Sequence, residues 1–233
     1  MRNAVRLSKD TGTLIQARAE TQNCELGSQQ NSPTSGMGGS CPVSPYCIKT
    51  DRYSSHSAVL SYLRDRRGQR LLDVGGAQGD LAHMLTQRGY AVTAIEGDPG
   101  LAAMARGKCR KVVVADLDRP LPNLQCPFDV VVCADVLEHL KNPLVVLLEI
   151  TRLLKPNESI IISAPKIAHL WVRLQVCFGR FEYTERGILD ATHVRFFTLA
   201  SFRRLLAEAG LEILELTATP VPLPLVVPER YHG

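Results

Sequence analysis

The sequence predicts an α/β domain built on a doubly wound, mostly parallel sheet. Three observations point to it. Short apolar runs end in an acid at three successive places (Asp73, Glu96 and Asp116), stretches with helical spacing lie between those runs, and the first run breaks into a glycine-rich turn that opens such a helix. Open α/β sheets bind ligands at the carboxyl ends of their strands. The three acids therefore mark an edge as well as a fold.

The elements follow in order. From about residue 20 to 45 the chain is rich in Ser, Gly, Gln, Asn and Pro and too poor in large apolar residues to offset its ordering entropy, so residues 1–50 read as a disordered leader. Order begins near Tyr53, where Val59, Leu60 and Leu63 give a short helical stripe that ends in the polar run 64–68. Residues 69–74 form a buried strand. Leu81, Met84 and Leu85 then repeat at helical spacing until Gly89 stops the helix. A second strand covers 90–95, and Asp98-Pro99 opens a helix to residue 106. The third strand, 111–115, leads into Arg119-Pro120-Leu121-Pro122, which forbids a regular helix. Residues 128–133 are the fourth strand. Leu144, Leu147, Leu148, Ile150, Leu153 and Leu154 make a wide apolar helix face closed by Lys155-Pro156, and 159–163 is the fifth strand.

After the fifth strand the rhythm changes. Over 166–180, Ile167, Leu170, Trp171, Leu174 and Phe178 share one helical face, which reads either as an inserted lid at about 166–190 or as an extra core-packing helix. A helix over 198–209 ends at Gly210, and 211–217 alternates like a strand. The proline-rich tail, 220–233, cannot pair as a central strand. The domain is thus expected over 51–219.

Composition narrows the function. A chain of 233 residues with 45% apolar content holds one α/β core. Its net charge of +4 is mild, and no Lys/Arg block stands among aromatics, so no nucleic-acid partner is expected. The seven cysteines include no C-x-x-C pair and no zinc-like Cys/His spacing, and their odd count speaks against a full disulfide framework. With no apolar run of membrane-spanning length, the expected compartment is a reducing cytoplasm and the expected metal content none.

The turn after the first strand carries the chemistry. A dinucleotide fingerprint wants G-x-G-x-x-G, and counted from Gly75 that register meets Ala77 and Asp80 instead. What stands there, Asp73-x-Gly75-x-Ala77-x-Gly79, resembles the D-x-G-x-G-x-G first motif of class I S-adenosylmethionine (SAM)-dependent methyltransferases, with Ala77 at the middle glycine. Glu96 closes the second strand about 20 residues on, where a carboxylate can accept both ribose hydroxyls. Asp116 could accept an adenine amino group while the amide of Leu117 bonds a ring nitrogen.

Further stretches extend the likeness. The segment 94–99 (Ala-Ile-Glu-Gly-Asp-Pro), Val114-Ala115-Asp116, and 128–140 with its Ala134-Asp135-Val136-Leu137-Glu138-His139 are similar to the family's ordered motifs. Segments 178–183 and 187–198 resemble the branch found beside glycosyltransferases and related to ubiquinone-type O-methyltransferases. The resemblance runs from about Tyr53 to Thr217. It implies a seven-stranded sheet, SAM bound by Asp73, Gly75, Gly76, Ala77, Gly79, Glu96, Gly97, Asp116, Leu117 and Asp135, and an acceptor held under the segment after strand five. It leaves the family's last antiparallel strand without a counterpart in the C-terminal sequence.

The implied reaction is methyl transfer to a hydroxyl of a sugar, glycolipid or quinone-like ring. The alternatives are a small-molecule N-methyltransferase, a non-catalytic interaction protein of the same fold and, further off, an NAD-dependent oxidoreductase. A hydroxyl acceptor needs a base, for which His193 is the first candidate and His139 the second. Tyr53 and His56 are placed to close over the cofactor. The apolar stripe of 166–180 is a candidate peripheral membrane contact.

Overall fold

The computed structural model describes residues 12–19, 54–63, 68–124 and 127–219. In chain order it contains β1 (Gly12–Ala19), α1 (Ser55–Tyr62), β2 (Arg70–Val74), α2 (Asp80–Gln87), β3 (Ala91–Glu96), α3 (Pro99–Ala105), β4 (Lys111–Val114) and β5 (Phe128–Ala134). A 3-10 turn at Leu137–His139 follows, then α4 (Pro143–Thr151), β6 (Leu154–Pro165), α5 (Leu170–Cys177), α6 (Leu199–Glu208) and β7 (Leu211–Thr219). Polar side chains satisfy the first free amides of α1, α3 and α6. Ser54 caps α1, Asp98 caps α3 ahead of Pro99, and Thr198 and Ser201 form a capping box on α6.

All seven strands belong to one sheet in the order β4-β3-β2-β5-β6-β1-β7. Strands β2 to β6 run parallel, and β1 runs antiparallel to both β6 and β7. Alternate residues face opposite sides, which splits the apolar runs between two cores. Leu72, Val74, Val131, Cys133, Ile160 and Ile162 pack with Leu147, Ile150, Phe202 and Leu206 from α4 and α6. On the other face Leu71, Val92, Val130, Val132 and Ile161 meet Val59, Leu81 and Leu85 from α1 and α2.

The antiparallel strand is not missing: it comes from the N-terminal region. Residues 12–19 were expected within a disordered leader, yet Ile15 pairs opposite Ile162 on one side and Leu216 on the other, and Ile15 and Ala17 are fully buried. The signal was faint because Thr13-Leu14-Ile15 is the run's only apolar stretch, and its partners lie far along the chain. Two smaller differences concern β6 and α5. The fifth expected strand begins earlier, at Leu154, and crosses Asn157 in a left-handed conformation (φ 64°), where β5 and β6 shift register. The stripe expected over 166–180 divides: Leu170, Leu174 and Phe178 are exposed, Ile167 and Trp171 are half-buried, and Val172, outside the stripe, packs on Ile188 and Leu189. The readings made for Tyr53, for residues 20–50 and for the 220–233 tail lie outside the described residues.

If β1 completes the core, Ile15→Ala should destabilise the chain by about 2–4 kcal/mol, the usual cost of emptying a buried aliphatic site. Urea denaturation measures this. An unchanged midpoint would remove β1 from the folded core.

Candidate functional site

The turn between β2 and α2 sits at the carboxyl edge and takes a conformation that few residues tolerate. Gly75, Ala77 and Gly79 all lie in the left-handed region, at φ 71°, 45° and 82°. A Cβ on Gly75 would stand 2.6 Å from a Val136 methyl, and one on Gly79 would stand 2.7 Å from Ala105 Cβ. Glycine is therefore required at both places. Ala77 occupies the middle position at a cost of roughly 1 kcal/mol, since its Cβ crowds the following carbonyl.

Backbone amides fasten this turn to the end of β3. Gly75 and Gly76 both donate to the Ile95 carbonyl at 2.9 Å, and Ala77 donates to Glu96 Oε2 at 2.7 Å. The other Glu96 oxygen accepts the Asp98 amide at 2.8 Å. Each carboxylate oxygen keeps a second lone pair for a ligand. Lys108 straps the turn from the far side: its Nζ donates to the Gln78 carbonyl at 2.8 Å and pairs with Asp80 Oδ1 at 2.6 Å. No periodicity or motif in the sequence marked Lys108, whose partners are 28 and 30 residues away.

Asp73 is 2% exposed, and its Oδ2 has no hydrogen-bond partner among the described residues. Burial, followed by the nearby Glu96 charge, pushes its carboxyl up to about 7. With His56, Gly75, Gly76 and Ala77 it lines a cavity of about 40 Å³. Ligand sites are typically larger than about 300 Å³, so this cavity alone does not enclose a nucleoside-sized molecule. An orphaned buried carboxylate, a turn stripped of Cβ atoms and a second acid with spare lone pairs fit a cationic donor carrying a ribose.

The remaining expected cofactor residues are spread along the same edge. Gly97 has only ordinary contacts, its would-be Cβ lying 3.5 Å from the Ala115 carbonyl. Asp116 is exposed, accepts the Asp118 amide at 2.9 Å and pairs with Arg119 at 3.4 Å, and Leu117 packs against the core. Asp135, also left-handed (φ 55°), is bonded through both carboxylate oxygens, to Ser55 at 2.6 Å and to Ser163 at 2.7 Å. It thereby staples α1 and β6 to the end of β5. Sequence reasoning missed Ser55 and Ser163, because single serines carry no pattern.

Both candidate bases come together. His139 ends the 3-10 turn that begins one residue after Val136, and its ring lies 4.9 Å from that of His193, edge to face. The amides of Val194 and Arg195 both donate to the Glu138 carbonyl at 2.9 Å and dock the second histidine's loop. His193 is 8% exposed, and its Nδ1 donates to the Ile188 carbonyl at 3.2 Å. His139 Nδ1 lies 3.2 Å from the Thr192 carbonyl. Burial, then the neighbouring His139, lowers the His193 pKa below its ordinary 6.5. Glu138, His139 and His193 also place ligand atoms within 4.8 Å of one another, a grouping that their separation in sequence concealed. His169 stands apart as the cap of α5.

Asp73 generates a stability prediction. Its folded pKa of about 7 exceeds the ordinary 3.8, so between those values the folded chain binds more protons than the unfolded chain and stability falls as pH rises. Asp73→Asn removes that cost. The variant should be more stable than wild type by on the order of 4 kcal/mol above pH 7, shrinking to under about 1 kcal/mol at pH 4. Urea denaturation across pH 4–8 checks both limits, and a pH-independent difference would contradict the buried charge.

The comparisons agree with this geometry. The family described as "Methyltransferase domain" matches residues 49–216. A ubiquinone biosynthesis O-methyltransferase of Xylella fastidiosa (strain 9a5c) is 28% identical over 169 residues, 68% of this chain and 68% of its own. Its namesake in Dechloromonas aromatica (strain RCB) is 31% identical over 164 residues, covering 64% and 67% of the two chains. Among solved structures, magnesium protoporphyrin IX methyltransferase from Synechocystis PCC 6803, with bound SAH, superposes with a TM-score of 0.52 at 21% identity over 67% of this chain and 71% of its own. That likeness shows the fold. With its glycine turn, edge acids and seven-stranded sheet, the chain belongs to the methyltransferase-domain family of class I SAM-dependent methyltransferases and takes SAM as its methyl donor.

Proposed function

We propose that this methyltransferase acts on a hydroxyl of a small-molecule or lipid-linked acceptor, a sugar, glycolipid or quinone-like ring, with His193 as general base. The observation that carries the reading is the buried His193, whose Nδ1–H is fixed on a backbone carbonyl so that Nε2 keeps its lone pair. The ubiquinone-type O-methyltransferase relatives support an oxygen acceptor.

When bound, SAM supplies a methyl group already activated by a cationic sulfur. Asp73, Gly75, Gly76, Ala77 and Gly79 would hold it at the turn, with Glu96 and Gly97 at its ribose and Asp116 and Leu117 at its base. Asp135 acts by anchoring α1, which carries His56, against the edge. His193 Nε2 would take the proton that the acceptor hydroxyl loses, and the protein otherwise aligns the reactants and excludes water. The lowered pKa keeps His193 neutral, and so competent as a base, at pH 7.

The acceptor's route is proposed along α5 and the segment after it, where Leu170, Leu174, Val176, Phe178, Phe181 and Tyr183 are exposed. Exposed apolar side chains in this number, with Arg173 and Arg180 in the same segment, suit a lipid carrier or the face of a membrane. No helix among the described residues is long and apolar enough to cross one.

A second reading rests on the same histidines. With each Nδ1 on a backbone carbonyl and Glu138 almost fully buried beside them, Glu138, His139 and His193 offer the donor set and outer support of a divalent cation site. Activity lost on chelation and restored by zinc or magnesium favours it over a metal-free base.

His193→Ala should lower kcat about 10²-fold while leaving SAM affinity within about twofold, and should abolish the acid limb of the pH–rate profile that wild type shows below 6.5. Equal losses in SAM binding would make the residue structural. Glu96→Ala should weaken SAM by about 2 kcal/mol, through the lost charge-assisted bonds to ribose and turn together. Isothermal calorimetry reads this, and an unchanged affinity removes the assigned binding mode.

A further inference from the structure

Lys108 reaches the cofactor edge from the corner between α3 and β4, and nothing in the methyl-transfer chemistry described above uses it. Its aliphatic stem lies along the glycine turn: a Cβ placed on Gly79 would stand 3.4 Å from Lys108 Cδ, beside Ala105. The corner is itself fixed, since Gly107 turns the chain at φ 85° and the Lys108 amide donates to the Ala105 carbonyl at 3.1 Å. A long side chain held at its root and along its stem loses less entropy in placing its ammonium than one that swings freely.

That ammonium meets two acceptors belonging to the turn. It donates to the Gln78 carbonyl at 2.8 Å and to Asp80 Oδ1 at 2.6 Å, while Gln78 Nε2 donates to Asp80 Oδ2 at 2.6 Å. The planar peptide joining Gln78 to Gly79 is thereby held at both polar ends, because the Gly79 amide donates to the Gly76 carbonyl at 2.8 Å. Rotation of this peptide is what would release Gly79 from its left-handed conformation (φ 82°). Glycine has almost no preference of its own for that hand, so the hold comes from the two bonds. Gly79 also caps α2 without a side chain, and its carbonyl receives the His83 amide at 2.9 Å, so the same peptide sets where the helix starts.

We propose that Lys108 is a positioning residue for SAM: it pre-forms the glycine turn in the empty protein, so that binding does not have to order it. Gln78 and Asp80, the two residues it grips, line the cavity at the turn together with Asp73, Gly75, Gly76 and Ala77. A site that is competent only part of the time binds more weakly in proportion to that fraction, so the contribution of Lys108 appears in the affinity for SAM and vanishes once SAM holds the turn itself. The Lys108 and Asp80 side chains are 32% and 29% exposed, and water screens the pair, which keeps the expected effect to about three- to tenfold in Kd. A strap that instead kept the site shut would act with the opposite sign. The role does not depend on which acceptor the protein methylates.

Calorimetric titration of the full chain with SAM, and separately with SAH, tests this on wild type, Lys108→Met and Lys108→Arg. Lys108→Met keeps the stem and removes the charge, and it should weaken both ligands about three- to tenfold. Lys108→Arg, which can still donate to the carbonyl and the carboxylate, should return the affinity to within about twofold of wild type. Hydrogen exchange supplies a readout that a merely structural role would not move. The amides of residues 76–80 should exchange about threefold or more faster in ligand-free Lys108→Met than in wild type, and at the wild-type rate once either protein is saturated with SAM. Unchanged or tighter SAM binding in Lys108→Met overturns the proposal, as does an exchange difference that persists at saturation. Lys108→Arg binding as weakly as Lys108→Met overturns it too, because the charge-assisted grip on the turn would then not be what is lost.

Discussion

The carbonyl of Ile95 is the point on which the cofactor edge depends. It accepts two consecutive amides, from Gly75 and Gly76, while the next side chain in β3, Glu96, accepts a third from Ala77. Three donors from one turn are thus spent on the neighbouring strand, which pulls the chain sharply back and forces the left-handed conformations at residues 75, 77 and 79. The glycines follow from that curvature, as does the close approach of Val136 and Ala105. Glu96 therefore has two tasks, holding the turn and facing the ligand, and no substitution there separates them cleanly.

Much of the fold was legible because its central strands announce themselves. Runs such as Val130-Val131-Val132 are apolar on both faces, as a buried parallel strand must be, and three of them lead to the edge acids or the glycine turn. The glycine turn was legible for the same local reason. What escaped was set by distant partners. β1 gains its stability from Ile162 and Leu216, so nothing within residues 12–19 distinguishes it from a solvated segment. In α5 the apolar residues outnumber the core positions available, and periodicity cannot tell that Val172 alone turns inward while Leu170 and Phe178 face out.

The candidate site shows the same division. Its backbone cradle was readable from spacing, whereas its side-chain connections were not. His139 and His193 are 54 residues apart, and the two amides donated to Glu138, with the contact of His139 on Thr192, bring their rings together. Lys108 reaches the turn from the loop after α3, and Ser55 reaches Asp135 from α1. Such contacts rest on one residue each and leave no repeat to detect. They also tie the cofactor edge to two elements, α1 and the α3–β4 loop.

The placement of β1 has a consequence for how the chain is made. A strand synthesised first has to wait for two strands that are synthesised last, since its partners lie at 159–165 and 211–219. Until β7 leaves the ribosome, β6 has one side of its hydrogen-bonding ladder unfilled, and the first strand has no completed slot to enter. Contacts of such long sequence separation form slowly because loop closure must precede them. Between the synthesis of β6 and that of β7 the first strand can pair on one side only, and the sheet closes once all three segments are present.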